Sequence, residues 1–299
     1  MSEDFLQQMA ASSRERSLRA QSRRPQIALL ELARAIPEPT PLIANPGGFD
    51  LIAEVKLRSP AAGALKSSDE DVGARVTRYA SAGAAAISVL TEPSRFDGSM
   101  SHLEQAARAL APLRVPAMRK DFLVDPYQVI EARLAGAGGV LIILRMLPRE
   151  QLEALIEQAL SLNLFSLLEA FDERDIELAH TLAEKYATRA NTGGRIRMLV
   201  GVNCRDLVTL KVVPGRLESL APLLPTSSPR VAESGVGSAE DARRMASVGY
   251  EFALVGSALM TAADPHALAG DMLRAARSVR TSASSNRADV PAGTSLRSR

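Results

Sequence analysis

The sequence predicts an α/β protein: a single (β/α)8 TIM barrel with an N-terminal helical extension and a disordered C-terminal tail. From residue 50 onward, short apolar runs alternate with amphipathic segments, and the pattern repeats eight times. The runs are continuous, which is typical of parallel strands buried on both faces. The length of 299 residues suits one barrel of roughly 250 residues with additions at its ends. A doubly wound open sheet is the alternative, but it usually has a glycine-rich loop after its first strand, where this chain has Glu54 and Lys56.

The first 45 residues predict the helical extension. Residues 12–24 have a helical pattern, Pro25 interrupts it, and residues 26–35 continue it. The first segment is rich in arginine, for which a solvated helix face is favoured over contact with an anionic partner. Three closely spaced prolines then end the helical region. The barrel is predicted to span residues 46–277.

The eight predicted strands alternate with helices throughout the barrel. The strands are residues 50–56, 85–90, 115–118, 139–144, 164–169, 198–203, 229–233 and 252–255. Helical segments are expected to begin near residues 70, 100, 126, 149, 173, 215, 238 and 264. The best-marked start has Asp125 as N-cap and Pro126 at the first helical position. Residues 278–299 are rich in Ser, Thr, Arg and Ala without apolar periodicity, so they are predicted to form the disordered tail.

Composition narrows the class of function. There is no run of about 18 apolar residues that would suit a membrane span, and no apolar secretory segment at the amino terminus. The net charge of +2 gives no argument for nucleic-acid binding. The single cysteine, Cys204, excludes an intrachain disulfide and a cysteine metal cluster. We expect a cytoplasmic monomer or weak homodimer that binds no metal, membrane or nucleic acid.

Polar and aromatic side chains collect where the predicted strands end, which in a barrel is the face that carries the chemistry. They are Glu54, Lys56 and Ser59 after the first strand, Phe96 after the second, Lys120 and Phe122 after the third, Glu169 after the fifth, Asn203 and Arg205 after the sixth, Glu233, Ser234 and Gly235 after the seventh, and Gly256 and Ser257 after the eighth. Because these loops meet at one rim of a barrel, we expect the residues to surround one site.

The residue types at this rim indicate three tasks, each with a simpler structural alternative. Lysines beside glutamates can donate and accept protons near neutral pH, although they can also form ion pairs that only fix loops. The Gly/Ser turns can hold a phosphate, but any tight turn favours glycine. Arg205 can bind the same anion in a bidentate manner or pair with Asp206. Phe96 and Phe122 can flank a flat apolar substrate or simply pack loops onto helices.

Seven spaced motifs in this chain resemble those of the indole-3-glycerol phosphate synthases. They are residues 52–60 (IAEVKLRSP), 87–92 with 96–99 (ISVLTE, FDGS), 119–128 (RKDFLVDPYQ), 168–169 (LE), 201–207 (GVNCRDL), 233–236 (ESGV) and 255–260 (VGSALM). The resemblance covers about residues 10–275 in the same order. It implies a barrel whose helical extension lies over the catalytic face. It also implies conversion of 1-(2-carboxyphenylamino)-1-deoxyribulose 5-phosphate to indole-3-glycerol phosphate, with release of carbon dioxide and water, in tryptophan biosynthesis and without a cofactor or metal.

The resemblance also implies roles for individual residues. Lys120 would be the general acid that drives ring closure, and Glu169 the general base for the later dehydration. Lys56 would bind the anionic substrate and position its carboxylate. The residues that would orient the lysines and substrate hydroxyls are Glu54, Asn203 and Glu233. Those that would hold the phosphate are Ser59, Arg205, Gly235, Gly256 and Ser257, with Ser234 as a further substrate contact.

The chain departs from the common family pattern at four places. These are Ala61-Ala62 after the first-strand Ser-Pro, Gly138-Gly139 before the fourth strand, Ala170-Phe171 after Glu169, and Cys204. None removes a proposed catalytic group, and they leave room for a paralogue in a specialised pathway. Two other hypotheses compete with the lyase. One is the phosphoribosylanthranilate isomerase step, which would need a Cys/Asp pair with the cysteine ending the first strand. The other is a non-catalytic protein that binds nucleic acid or an acidic partner through its arginine-rich amino terminus.

Overall fold

Eight parallel strands form a closed barrel, as predicted. The computed structural model describes residues 2–60, 63–66, 70–206, 209 and 211–288. The barrel strands are β1 (Asp50–Val55), β2 (Ala86–Leu90), β3 (Ala117–Lys120), β4 (Gly139–Ile143), β5 (Phe165–Ala170), β6 (Met198–Asn203), β7 (Arg230–Glu233) and β8 (Phe252–Val255). Each strand pairs with its neighbours in the chain, and β8 closes onto β1. Two-residue strands pair Leu42–Ile43 with Arg195–Ile196, and Arg58–Ser59 with Gly63–Ala64.

The helices surround this barrel, and the first two precede it. They are α1 (Ser2–Arg23), α2 (Gln26–Ala35), α3 (Val72–Ser81), α4 (Pro93–Phe96), α5 (Met100–Leu110), α6 (Pro126–Leu134), α7 (Arg149–Ser161), α8 (Glu173–Ala190), α9 (Arg216–Leu220), α10 (Ala239–Ser247), α11 (Ser257–Thr261) and α12 (Pro265–Ala288). The start of α6 has the predicted geometry, with Asp125 and Gln128 forming a reciprocal capping box behind Pro126.

Alternation along the strands divides the core into two parts. Residues such as Ile52, Leu167 and Val231 point into the barrel and form an inner apolar cluster. Their sequence neighbours point outward and pack against the helices. The inner cluster also explains Gly139, because a Cβ there would collide with the ring of Phe165. That glycine therefore makes room for a large aromatic side chain inside the barrel.

Several predicted boundaries differ from the structure, and three of these differences have an evident physical reason or affect the site. Strand β3 continues through Lys120, two residues beyond its predicted end. The intervening Arg119 is 2 % exposed, and it donates to the Gln128 carbonyl and the Thr91 hydroxyl, so its charge does not end the strand. Helix α1 begins at Ser2 instead of residue 12. Helix α12 continues to Ala288, past the predicted tail boundary at 278, because extending an existing helix through Ala and Ser avoids the cost of nucleation. Residues 289–299 lie outside the described residues.

The barrel register brings one side chain from each odd-numbered strand to the same level. Glu54 pairs with Ser88, and Ser88 pairs with Met118, two residues before Lys120. The register relates the other charged residues in the same way. Followed through the intervening strand, Lys120 lies opposite a position two residues before Glu169, Glu169 opposite one two residues before Glu233, and Glu233 opposite one two residues before Glu54. Such layers of four side chains from alternate strands fill barrel interiors. Here the uppermost of these layers is charged.

Candidate active site

The charged layer at the mouth of the barrel is centred on Lys120. The Lys120 Nζ lies 3.3 Å from Glu233 Oε2 and 3.5 Å from Glu169 Oε1. It lies 3.9 Å from Glu54 Oε2. The three glutamates are each at most 3 % exposed. One ammonium group is therefore held among three buried carboxyl groups supplied by three separate strands.

The surroundings fix the protonation of this layer. Burial alone would lower the pKa of Lys120, but the three neighbouring carboxylates outweigh burial and raise it. Burial raises the pKa of Glu233 well above its usual value, and the adjacent Glu169 carboxylate raises it further against the opposing charge of Lys120. Burial acts in the same direction on Glu54, yet Lys56 and Lys120 outweigh it and lower the Glu54 pKa. At neutral pH Lys120 is therefore charged and Glu54 is ionised, whereas Glu233 is the glutamate whose pKa is raised.

Lys56 and Glu54 form a second ion pair beside this layer. The Lys56 Nζ lies 2.6 Å from Glu54 Oε1. A Cβ at Gly256 would collide with the Glu54 carboxylate and lie 2.9 Å from Lys56 Nζ. A Cβ at Gly201 would collide in the same way with the Glu233 carboxylate. These two glycines therefore admit the charged side chains, a requirement separate from the phosphate contact predicted for Gly256.

Asn203 connects Glu169 to the loop after β6. Its Nδ2 donates to Glu169 Oε1 at 2.9 Å, and its Oδ1 accepts from the backbone N–H of Arg205 at 3.0 Å. Because the amide is held at both ends, it fixes the orientation of one Glu169 oxygen. The neighbouring Asp206 carboxylate accepts hydrogen bonds from the backbone and hydroxyl of Thr209.

The turn after β7 has an unusual backbone conformation. Ser234 and Gly235 both have positive φ angles, 66° and 75°. A positive φ is uncommon in residues other than glycine, and where it occurs, as at Ser234, it is often at a functional site. A Cβ at Gly235 would also lie 3.0 Å from Cys204 Sγ. The thiol donates to the Ser234 carbonyl at 3.3 Å, and burial raises its pKa to about 11. Cys204 therefore supports the turn as a protonated thiol and is not poised as a nucleophile.

A cavity of about 410 Å³ lies above the charged layer, within the range of small-molecule sites. One half of its rim, formed by β6, β7, β8 and β1, is polar. That half includes Asn203, Arg205, Ser234, Gly235, Gly256, Ser257, Lys56 and Ser59. The other half, formed by β2 to β5 and helix α1, is largely apolar apart from the charged layer and Asp121. That half includes Phe96, Phe122, Leu141, Ile143, Phe171, Phe5 and Leu6. The cavity thus offers one end to an anion and the other to an apolar group.

Aromatic rings meet at the apolar half. Phe122 and Phe96 have ring centroids 6.2 Å apart, and Phe5 approaches Phe122 edge-on at 5.9 Å. The rings of Phe96 and Phe122 therefore pack against each other and line the cavity as well. Phe5 comes from α1, so the helical extension contributes directly to the site.

Helix α1 is anchored beside Lys120 by a buried carboxylate. Arg16 donates two hydrogen bonds to Asp121, at 2.8 and 2.9 Å. The Thr91 hydroxyl donates to the same carboxylate at 2.7 Å, and Arg119 lies 3.2 Å away. Burial would raise the pKa of Asp121, but Arg16 and Arg119 outweigh it and hold the pKa well below its usual value. The predicted solvated face holds for exposed arginines such as Arg19, while Arg16 is part of this anchor.

All fourteen residues predicted for the site line this one cavity. Sequence reasoning found Phe96 and Phe122 of the apolar wall but missed the rest of it, above all Phe5, Leu6 and Phe171. The spacing of Phe5, Leu6 and Met9 is the apolar stripe of a docked helix, and this signal could have extended α1 toward the amino terminus. Ala61 and Ala62, one of the four departures from the family pattern, lie outside the described residues.

The glutamates of this site are paired with lysine side chains. Within the described ranges, no three His, Cys, Asp or Glu side chains are grouped as metal ligands would be. Helices long and apolar enough for a membrane crossing are also lacking in the part of the chain that the structure describes. The site is best described by its lysines, glutamates and backbone turns.

Comparison with known proteins places the chain in a family. The family model described as indole-3-glycerol phosphate synthase matches residues 6–272. The indole-3-glycerol phosphate synthase of Parafrankia sp. (strain EAN1pec) is 38 % identical over 269 residues, covering 89 % of this chain and 91 % of the relative. The one from Mycolicibacterium smegmatis is 40 % identical over 247 residues, covering 82 % and 85 %.

Solved structures of lower identity share the barrel. The 3-hexulose-6-phosphate synthase of Salmonella typhimurium has a TM-score of 0.56 at 14 % identity and covers 77 % of this chain and 100 % of its own. Tryptophan synthase from M. tuberculosis has a TM-score of 0.52 at 15 % identity and covers 77 % and 94 %. At these identities the likeness concerns the fold alone. The family match and the curated relatives show more: the chain belongs to the indole-3-glycerol phosphate synthase family, the decarboxylating lyases of tryptophan biosynthesis.

Proposed function

We propose that the charged layer and the two-sided cavity carry out the family reaction on 1-(2-carboxyphenylamino)-1-deoxyribulose 5-phosphate. The observation that carries the proposal is the position of Lys120. Its ammonium group lies between an apolar half-rim and a polar half-rim. The substrate has the matching order of parts: an aryl ring, a central ketone and a phosphate. Bound across the mouth, it places the ketone above Lys120.

Lys120 acts as the general acid for ring closure. The three carboxylates keep it protonated, so the proton is available when substrate arrives. As the aryl carbon that bears the carboxylate attacks the ketone carbon, the ketone oxygen becomes an alkoxide. That alkoxide is a stronger base than the lysine amine, so proton transfer to it becomes favourable as the bond forms. Loss of carbon dioxide then restores the aromatic ring.

Glu169 acts as the general base for the dehydration that completes the indole. Asn203 holds one of its oxygens at 2.9 Å, and burial together with the nearby Glu169 charge raises the pKa of the neighbouring Glu233 well above its usual value. A raised pKa favours the neutral form of Glu233, which lessens the repulsion between the two carboxyl groups. Glu169 is thus the carboxylate that takes the proton from the ring carbon next to the nitrogen and passes it to the departing hydroxyl, which leaves as water.

The remaining cations and turns bind the two anionic groups of the substrate. Lys56, paired with Glu54 at 2.6 Å, faces the cavity and positions the aryl carboxylate. Arg205 and the polar turns hold the phosphate at the opposite side from the aryl ring. These turns are formed by Ser59, Ser234, Gly235, Gly256 and Ser257. Backbone N–H groups in glycine turns suit this task because a phosphate can approach them closely.

The test is turnover of the purified protein with this substrate, followed by indole fluorescence and carbon dioxide release. Lys120→Ala and Glu169→Gln are each expected to lose at least about 100-fold in kcat, the lower range for general acid–base catalysis, with unchanged circular dichroism. Lys185→Ala is the matched control, because that lysine pairs with Glu153 on the helical surface. An inactive wild-type protein would remove the proposal. Wild-type rates for either site variant would remove that residue's role.

A further inference from the structure

Phe171 occupies a position on the substrate side of the barrel that the proposed reaction does not use. Side chains alternate along β5, so Phe165, Leu167 and Glu169 all point into the barrel. Phe171 is the next position of that row, just beyond the strand end. It is 3 % exposed and lines the apolar half of the cavity. Phe171 therefore follows the proposed general base by two residues in the row of side chains that faces the cavity.

The side chain of Arg145 packs on the face of the Phe171 ring from outside the cavity. The guanidinium carbon of Arg145 lies 4.7 Å from the centroid of the Phe171 ring, the distance of a cation–π contact. The same guanidinium pairs with Asp172 at 2.6 Å and with Asp175 at 2.7 Å. Arg145 does not line the cavity, so the Phe171 ring stands between the cation and the substrate space.

The backbone of Phe171 is fixed by the same group of residues. Its N–H donates to Asp175 Oδ2 at 2.8 Å, and this oxygen also accepts from Arg145 Nε at 2.8 Å. One carboxylate thus ties the main chain of Phe171 to the guanidinium that covers its ring. Because both the main chain and the ring face of Phe171 are held, the ring presents the same surface to the cavity in a fixed orientation.

We propose that Phe171 is a specificity-determining residue for the aryl ring of the substrate, and that Arg145 is the residue that positions it. The inference rests on the proposed function and adds which rings the site accepts. Phe96 and Phe122 line the same apolar half of the cavity, so a flat ring bound there meets several apolar surfaces. A hydroxyl on that ring loses its hydrogen bonds to water at such a wall, whereas a methyl group gains contact.

The first test needs no variant. Wild-type kcat/KM is measured for the unsubstituted substrate and for substrates with a ring methyl or a ring hydroxyl at the same position. We expect the methyl substrate to be favoured over the hydroxyl substrate by about tenfold or more. Equal values would overturn the proposal. A wild-type protein that turns over none of them would instead refute the proposed function, so the two failures are distinct.

The second test uses variants whose effects a purely structural role would not produce. Phe171→His keeps a flat ring but adds a polar edge, and is expected to raise KM about tenfold, change kcat less than about threefold, and reduce the preference for methyl by about tenfold. Arg145→Met should raise KM and reduce the preference for methyl, as Phe171→His does. Arg145→Lys keeps the positive charge and should therefore show a smaller change in both quantities than Arg145→Met. Arg149→Met removes a surface pair with Glu153 and serves as the control. Selectivity unchanged in Phe171→His would overturn the proposal.

Discussion

The pair between Arg16 and Asp121 gives the most direct test of how the helical extension is held on the barrel. Replacing Arg16 by Met removes two hydrogen bonds of 2.8 and 2.9 Å to a carboxylate whose side chain is fully buried. The carboxylate keeps its contacts with Thr91 and Arg119. The methionine retains most of the apolar stem, so the change isolates the charge.

The magnitude follows from what remains around Asp121. Breaking a buried ion pair costs about 3–5 kcal/mol when the surviving charge is left uncompensated. Here Arg119 still compensates part of the charge, and Arg16 itself is 21 % exposed. We therefore expect a loss of about 2–3 kcal/mol, which is below this limit and within the roughly 1.5–3 kcal/mol of a hydrogen bond to a charged group. For a domain of this size that corresponds to a fall in Tm of about 5–10 °C.

The assay is thermal unfolding by circular dichroism, together with KM for the substrate. KM should rise because α1 brings Phe5 and Leu6 to the cavity. Arg19→Met is the control on the same helix. Arg19 is 67 % exposed and its ion pair with Glu15 is a long one, at 4.0 Å, so the change should alter the unfolding free energy by less than about 0.5 kcal/mol. If Arg16→Met and Arg19→Met unfold at the same temperature, the anchor contributes nothing and the argument is refuted.

Two further predictions concern the charged layer and its surroundings. Gly256→Ala places a Cβ against the Glu54–Lys56 pair and should lower kcat/KM about 100-fold, as an ångström-scale displacement in an active site does. The control is Gly270→Ala, whose Cβ meets only the flexible end of an arginine and which should leave kcat/KM unchanged. Equal activities of the two variants would contradict the steric argument. Because the folded-state pKa of Asp121 is lowered, its stabilising contribution is complete above about pH 4 and is lost as the pH falls below that value. The unfolding free energy of the wild type should therefore fall more steeply from pH 5 to pH 2 than that of Asp121→Asn, and parallel profiles would refute the assignment.

The sequence was sufficient for the barrel because both faces of its strands are buried. Continuous apolar runs located β1, β6 and β8 to within one residue, since a doubly buried strand leaves no room for polar interruptions. The carboxyl ends of parallel strands then had to meet at one rim, which brought Lys120 and Glu169 together without knowledge of any contact.

What the sequence could not give depended on contacts between distant segments. Arg119 suggested the end of a strand, yet its charge is satisfied by Thr91 and the Gln128 carbonyl, 28 and 9 residues away. The role of Phe171 required knowledge that the arginine after β4 covers its ring. The docking of α1 similarly depends on the pair between Arg16 and Asp121, 105 residues apart.

The proposed reaction requires that one phosphorylated molecule lies across the mouth of the barrel with its ketone above Lys120. A crystal structure with a substrate analogue whose ketone is reduced to an alcohol, and which cannot close the ring, tests this claim most directly. We predict the phosphate at the turns of Gly235 and Gly256, the aryl ring between Phe122 and Phe171, and the alcohol oxygen about 2.7–3.2 Å from Lys120 Nζ. A phosphate in the apolar half, or an alcohol oxygen beyond reach of Lys120, would contradict the account.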